Sequence, residues 1–279
     1  MKYPEILAIN PPPAVFAYDD AYTMGYALAV GCGGEPDELS FVYERILVAL
    51  PTMAVTMAPG IGDFITQGGL EFRKILHGEQ RLTIHQPLPP TGEMMTQARC
   101  LSVIDKGPDK GALLNIECTV AGKDGTLHAT MISTLFCRGD GGFGGPGTGE
   151  LTLPAPPDRP HDLAIALPIL PQQAALYRML GDRNPLHIDP AAAASVGFAG
   201  PILHGLCTYA IAARAILKGC CDNDPQRIAR FDARFASPVY PGETLVTYIW
   251  RDGDEIAFEC RVAERNAVII RNGFCRLRA

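Results

Sequence analysis

A carboxylate, an amide and an imidazole fall within six residues of one another in Gly181-Asp182-Arg183-Asn184-Pro185-Leu186-His187. Pro185 interrupts any regular helix there and could project Asp182, Asn184 and His187 into one cleft. A carboxylate and an imidazole sharing a cleft can work as a base and acid pair. The duller alternative, open for either residue alone, is an aspartate that caps the next turn and a histidine satisfied at the surface. Just downstream, Gly197-Phe198-Ala199-Gly200-Pro201-Ile202-Leu203-His204-Gly205 opens a long apolar stretch. Backbone N–H groups at a helix start attract developing negative charge, so Gly205 is a candidate oxyanion donor, unless it merely lets a helix pack closely. His204 is given no part in proton transfer.

Other chemistries fit less well. His187-Ile188-Asp189 holds two potential metal ligands, but no HExxH, second histidine cluster or CxxC completes a site, and no metal is expected. There is no GxSxG, and Ser195 lies in an alanine-rich stretch without an adjacent base. Asp189-Pro190 reads as an N-cap followed by a first helical residue. Gly139 to Gly144 satisfies GxGxxG, but Pro146, Pro154, Pro156 and Pro157 forbid the helix a dinucleotide loop requires.

The elements that must position these residues follow from periodicity. Gln172 to Leu180 is helix-compatible after Pro171, and Ile202 to Leu217 suits a longer, mostly buried helix ending before Gly219. Beyond Arg230 the chain alternates, with Leu245, Thr247 and Ile249 and then Ile256, Phe258, Cys260 and Val262, as antiparallel strands with one covered face do. A helix followed by strands that cover it is an α+β unit.

That unit occurs twice. Pro87-Leu88-Pro89-Pro90-Thr91-Gly92-Glu93 is answered by Pro238-Val239-Tyr240-Pro241-Gly242-Glu243, Ile116 to Ala121 by Phe258 to Ala263, and Phe136-Cys137-Arg138 by Phe274-Cys275-Arg276. The order and spacing indicate a duplicated unit of about 130 residues. Between the copies, Gly139 to Gly149 and Pro154 to Pro160 read as a linker. The division is 1–138, a linker 139–160, and 161–279.

Composition bounds the function. The 279 residues are 47% hydrophobic and 19% charged, enough to bury a core, and the net charge of -6 argues against a nucleic-acid partner. No apolar run reaches the roughly 18 residues of a membrane span, and the start lacks a signal-peptide core. Nine cysteines, an odd number, do not read as a secreted disulfide framework.

Gly181 to His187, Gly200-Pro201-Ile202-Leu203-His204-Gly205 and Ala233 to Glu243 together closely resemble the MaoC-like, (R)-specific enoyl-CoA hydratase family, also called hydratase 2. In the first half, Phe41-Val42-Tyr43-Glu44, Leu50-Pro51-Thr52, Leu76 to Gln80 and Asp105-Lys106-Gly107 look like the amino-terminal domain of eukaryotic-type members. The resemblance implies a double hot-dog fold of the α+β class, each half wrapping a curved antiparallel sheet around a long helix. Only the second half carries the motif. The first has Tyr26 to Gly34 at the related position, without the Asp and His, and by resemblance opens a tunnel for a bulky or long acyl chain.

The implied activity is reversible syn hydration of a trans-2-enoyl-CoA to a (3R)-3-hydroxyacyl-CoA. Asp182 and His187 would activate water, Asn184 would orient this pair or the water, and the Gly205 N–H would polarise the thioester. Carried over by position, His77, Gly78, Lys106, Arg183, Pro185, Leu186 and Phe235 would bind the CoA ester. No cofactor is needed, since CoA belongs to the substrate. Neither nucleic acid nor membrane is an expected partner, and a homodimer is compatible. Arg276-Leu277-Arg278-Ala279 is not a peroxisomal Ser-Lys-Leu signal, which favours a cytoplasmic setting. The alternatives are dehydration of an acyl-carrier-protein thioester by the same residues, a hot-dog thioesterase, and a non-catalytic acyl-CoA-binding protein.

Overall fold

Ten strands run in one antiparallel sheet among the residues described by the computed structural model, which are 1–58, 61–149 and 151–278. Glu150 of the linker and Ala279 of the carboxyl-terminal tetrapeptide lie outside them. The first unit supplies β1 (Ala14–Tyr18), β2 (Ile75–Ile84), β3 (Gly92–Asp105), β4 (Ala112–Gly122) and β5 (Leu127–Cys137). The second supplies β6 (Leu163–Pro168), β7 (Ile228–Phe235), β8 (Thr244–Asp252), β9 (Glu255–Val262) and β10 (Ala267–Leu277). The spatial order is β1-β3-β4-β5-β2-β7-β10-β9-β8-β6. Read inward from either edge, the connectivity is the same, which is the duplication expected from the sequence repeat and the double hot-dog arrangement that the family resemblance implies.

The alternation has its predicted consequence. In β9 the buried residues are Ile256, Phe258, Cys260 and Val262, and in β8 they include Leu245, Thr247 and Ile249. The sheet packs on α5 (Gly205–Cys220) through β6, β7 and β8, and the buried Ala210, Ala212, Ala213 and Ala215 of the helix let it approach closely. The helix begins at Gly205 rather than Ile202, because the Leu203 N–H donates to Val239 O at 2.7 Å and ties the preceding residues to a neighbouring loop. It also runs through Gly219 instead of ending before it. A Cβ there would sit 3.4 Å from Ile165, so the glycine serves helix–strand contact rather than termination.

The first unit has no counterpart of α5 among its described residues. Besides α1 (Asp20–Ala29) and α2 (Ile61–Gln67), a short 3-10 segment, Pro51–Met57, carries the buried Met53, Ala54, Val55 and Met57. The long central helix expected in both halves is therefore confined to the second. Thr52, Val55 and Thr56 are β-branched and Pro59-Gly60 follow in the sequence, a poor recipe for a long helix.

The units meet where β2 pairs with β7, from Glu79 opposite Arg234 to Thr83 opposite Arg230. A buried ion pair also crosses between them, with Arg214 Nη2 of α5 at 2.5 Å from Glu38 Oε1, while Arg214 Nη1 donates to Val30 O at 3.0 Å. Among the described residues between Cys137 and Leu163 there is no strand or helix. That segment is nonetheless tied down: Pro146 O accepts from Asp105 N at 2.7 Å, Leu151 O from Arg81 Nη2 at 2.7 Å, and Leu153 O from Asn272 Nδ2 at 3.1 Å. The Asp105 carboxylate accepts from Gly142 N (2.7 Å) and Gly144 N (2.8 Å), so these glycine N–H groups are held by an internal anion rather than a nucleotide phosphate. Those bonds, Gly142 first, hold the Asp105 carboxyl below its usual range.

Candidate active site

Before the candidate loop, α3 (Gln173–Tyr177) and a 3-10 turn, Arg178–Leu180, end at Gly181, whose φ of 123° is left-handed and admits glycine readily. The chain then turns outward, leaving Asp182 exposed, and a second 3-10 turn, Pro185–His187, carries His187 back into the protein. Asn184 builds this turn: its Oδ1 accepts from Leu186 N at 3.0 Å, while its own N–H donates to Asp182 Oδ1 at 3.1 Å. Asp189 Oδ1 accepts from Ala191 N at 2.8 Å, capping α4 (Pro190–Ser195) as its position implies.

His187 Nδ1 lies 2.8 Å from the carbonyl oxygen of Ile202. A carbonyl only accepts, so Nδ1 carries the hydrogen and Nε2 keeps its lone pair. Burial lowers the His187 pKa below 6.5, outweighing the Ile202 bond and the Asp182 charge, which favour the protonated ring. The ring is neutral, with its basic nitrogen defined. His204 stacks on it, centroids 3.7 Å apart and planes at 27°. Its Nε2–H donates to the main-chain oxygen of Asp182 at 3.1 Å, and its Nδ1 is buried without a partner. Burial, helped by the neighbouring His187, holds this ring neutral too. His204, which sequence reasoning left out of the chemistry, thus braces both members of the pair.

A carboxylate oxygen of Asp182 and one nitrogen from each histidine lie within 4.8 Å of one another. The donor types would suit a transition metal, but the two imidazoles are too nearly parallel for their in-plane lone pairs to meet at one ion. Proton transfer by Asp182 and His187, with His204 as their brace, suits the arrangement better.

Gly205 begins α5, where the first N–H groups have no intrahelical acceptor. Phe235, at the end of β7, lies beside it, 3.7 Å from where a Cβ would stand, and packs edge-on to His77 with centroids 5.2 Å apart. His77 sits on β2 where Gly78 forms a register shift against β5. Its Nε2 is buried without a partner, and burial pushes its pKa down to about 4. Asp182, His187, Gly205, Phe235 and His77 therefore gather at one place, with Gly78 adjacent in the strand. Lys106 does not join them: it lies in the β3–β4 turn, three strands from β2, about 14 Å away at ordinary strand spacing. Arg183 and Pro185 are exposed on the loop, and the half-buried Leu186 is tied to it through Asn184.

A cavity of about 400 Å³ opens beside Asp182. Its wall mixes both units, with Phe16, Val55, Ile61 and Met131 from the first and Leu180 and Leu206 from the second. Of the cavity's first-unit residues only Gln80 falls in a motif read from the sequence, and it was given no role there, because these residues come from four separate segments joined only by folding.

The arrangement is matched in known proteins. A MaoC like domain matches residues 152–272 and an MFE-2 hydratase 2 N-terminal domain matches 16–139. The chain is 38% identical over 277 residues to enoyl-CoA hydratase ChsH3 of Mycobacterium tuberculosis, across 94% of this chain and 93% of that protein. The chain belongs to the MaoC-like enoyl-CoA hydratase 2 family. It is 39% identical over 274 residues to the peroxisomal multifunctional enzyme type 2 of Mus musculus, across 94% of this chain but only 36% of that longer protein. A solved MaoC-like dehydratase from Phytophthora Capsici superposes with a TM-score of 0.89 at 33% identity, covering 100% of this chain and 99% of that one. In this hydratase-family chain, no helix among the described residues is long and apolar enough to cross a membrane.

Proposed function

We propose that the protein hydrates trans-2-enoyl-CoA thioesters reversibly to (3R)-3-hydroxyacyl-CoA, with Asp182 and His187 as its acid–base pair. The observation that carries this reading is the His187 tautomer, in a ring that has a nitrogen within 4.8 Å of an Asp182 carboxylate oxygen: Nδ1–H is held by Ile202 O, so the neutral Nε2 is left as the base for a reacting water. As the water oxygen bonds to the β-carbon, the pair takes one of its protons. The pair then returns a proton to the α-carbon, so one water is added and the enzyme ends as it began. Charge that builds on the thioester oxygen meets the Gly205 N–H at the start of α5. Asn184 acts on the pair through the turn it caps rather than on the water directly. His77, Gly78 and Phe235 flank the thioester, and Lys106 is left for the distal CoA moiety. The scheme requires no cofactor.

The cavity supports a medium, long or bulky acyl group, since about 400 Å³ is room for roughly a dozen water-sized groups. All nine cysteines are unpaired, which fits a reducing compartment and the proposed cytoplasmic setting. The test follows the absorbance of crotonyl-CoA and of a long-chain enoyl-CoA, with chiral analysis of the product. Turnover of both to the (3R) alcohol is expected; no hydration of either overturns the assignment.

A further inference from the structure

A wall that holds a plain hydrocarbon chain has no use for buried polar groups, yet this cavity has several. Gln80 of β2 is 1% exposed and Ser133 of β5 is 7% exposed, and both line it. They lie opposite each other in the β2–β5 pairing, and Ser133 Oγ–H donates to Gln80 Oε1 at 2.8 Å. Gln80 Nε2 donates one hydrogen to Arg81 O at 3.0 Å. An amide nitrogen carries two hydrogens and a hydroxyl two lone pairs, so the pair keeps donor and acceptor capacity for an occupant. Thr56 also lines the cavity, and its Oγ1 accepts from the Tyr22 hydroxyl at 2.9 Å and donates to Met53 O at 2.8 Å. Tyr177, 3% exposed, also lines the cavity, and its buried hydroxyl has no partner in the protein. A buried polar group without a partner points to a missing one.

We infer that the acyl pocket recognises an oxygenated chain: a trans-2-enoyl-CoA carrying a hydroxyl or keto oxygen beyond the reacting double bond, bonded by Gln80 and Ser133. The inference rests on the hydratase reading and narrows its substrate. A hydrocarbon chain strips these groups of water and gives nothing back, whereas a chain oxygen restores the lost bonds. One such bond is worth about three- to tenfold in kcat/KM. The polar pair sits in the first unit, so substrate choice is written there while the chemistry stays in the second.

The test uses the full chain and a series of trans-2-enoyl-CoA thioesters of one length, in which a single hydroxyl is walked along the acyl chain. At one position kcat/KM should exceed that of the unsubstituted parent by about three- to tenfold or more. Ser133→Ala and the double change Gln80→Met with Ser133→Ala should pull that ratio back towards or below unity. The wild-type comparison needs no variant to fold, and the double change removes both partners together, which is gentler than orphaning one. Hydration of the parent with no position preferred overturns the inference and leaves the hydratase reading standing. Hydration of no member overturns the hydratase reading itself. A preference that both variants retain assigns the recognition elsewhere and likewise refutes the inference.

Discussion

Asp182→Asn separates chemistry from scaffold in a single substitution. The side chain of Asp182 is exposed and accepts a hydrogen bond from its neighbour Asn184, whereas the contact that fixes His204 comes from the Asp182 main-chain oxygen. An asparagine oxygen can accept the same Asn184 N–H, and the brace on His204 and His187 is untouched. The change should therefore cost less than about 1 kcal/mol of stability, the difference between a charged and a neutral acceptor at an exposed site. Its effect on the reaction should be far larger. Without the carboxylate the water loses one half of its acid–base pair, and removing such a partner lowers the rate about 10²- to 10⁴-fold, or about 2.7 to 5.4 kcal/mol of barrier. The assay is the loss of enoyl thioester absorbance at saturating substrate, run beside a denaturant titration of the same preparation. Turnover within about threefold of wild type would refute the assignment of Asp182. A loss of turnover matched by a loss of folding would refute the claim that scaffold and chemistry are separate here.

Four further outcomes can be read from the same structure. Because burial lowers the His187 pKa from 6.5, its neutral, basic form persists below the ordinary histidine range, and kcat/KM should hold down to pH 6.5 and decline only beneath it; an acid limb centred above 6.5 contradicts the buried, neutral assignment. The same depressed histidines, His77 among them at about 4, contribute stability that is present above pH 6.5 and lost as pH falls towards 4, which melting curves across that window would show. Arg214→Met should cost about 3 to 5 kcal/mol in denaturant unfolding by leaving Glu38 buried without its partner, and a change below 1 kcal/mol would show that the pair does not couple the units. Met131→Trp, filling the cavity from β5, should lower kcat/KM for a long enoyl-CoA about tenfold relative to crotonyl-CoA, and an unchanged ratio would place the acyl chain elsewhere.

What could be read before the structure divides along a physical line. Strand periodicity, the duplicated order of segments and the Gly181 to His187 motif are local patterns, and each is visible because neighbouring residues share one environment. The cavity wall is not local: Phe16, Val55, Gln80, Ser133 and Leu206 converge only because strands of the one sheet and the segments of both units that cover it are brought together by folding. His204 was passed over because a histidine before a helix glycine looks the same whether it packs or acts. Its stacking on His187 is a property of the fold alone. The first unit's helix was overestimated for the opposite reason, since an inferred duplication imposes symmetry that the Pro51–Met57 segment does not keep.

The pairing of β2 with β7 has a consequence for how such a chain can be taken apart. Each unit, if released by a cut in the segment between them, would bare a strand edge that the intact protein never shows to solvent, and bare edges seek partners. The two halves should thus stay together after proteolysis at 139–160, and either half made alone should recruit a second copy of itself or precipitate. Seen this way, the chain is a dimer made permanent by a tether. The tether frees one partner from having to resemble the other, and the lost helix and the retuned pocket of the first unit are what that freedom has produced.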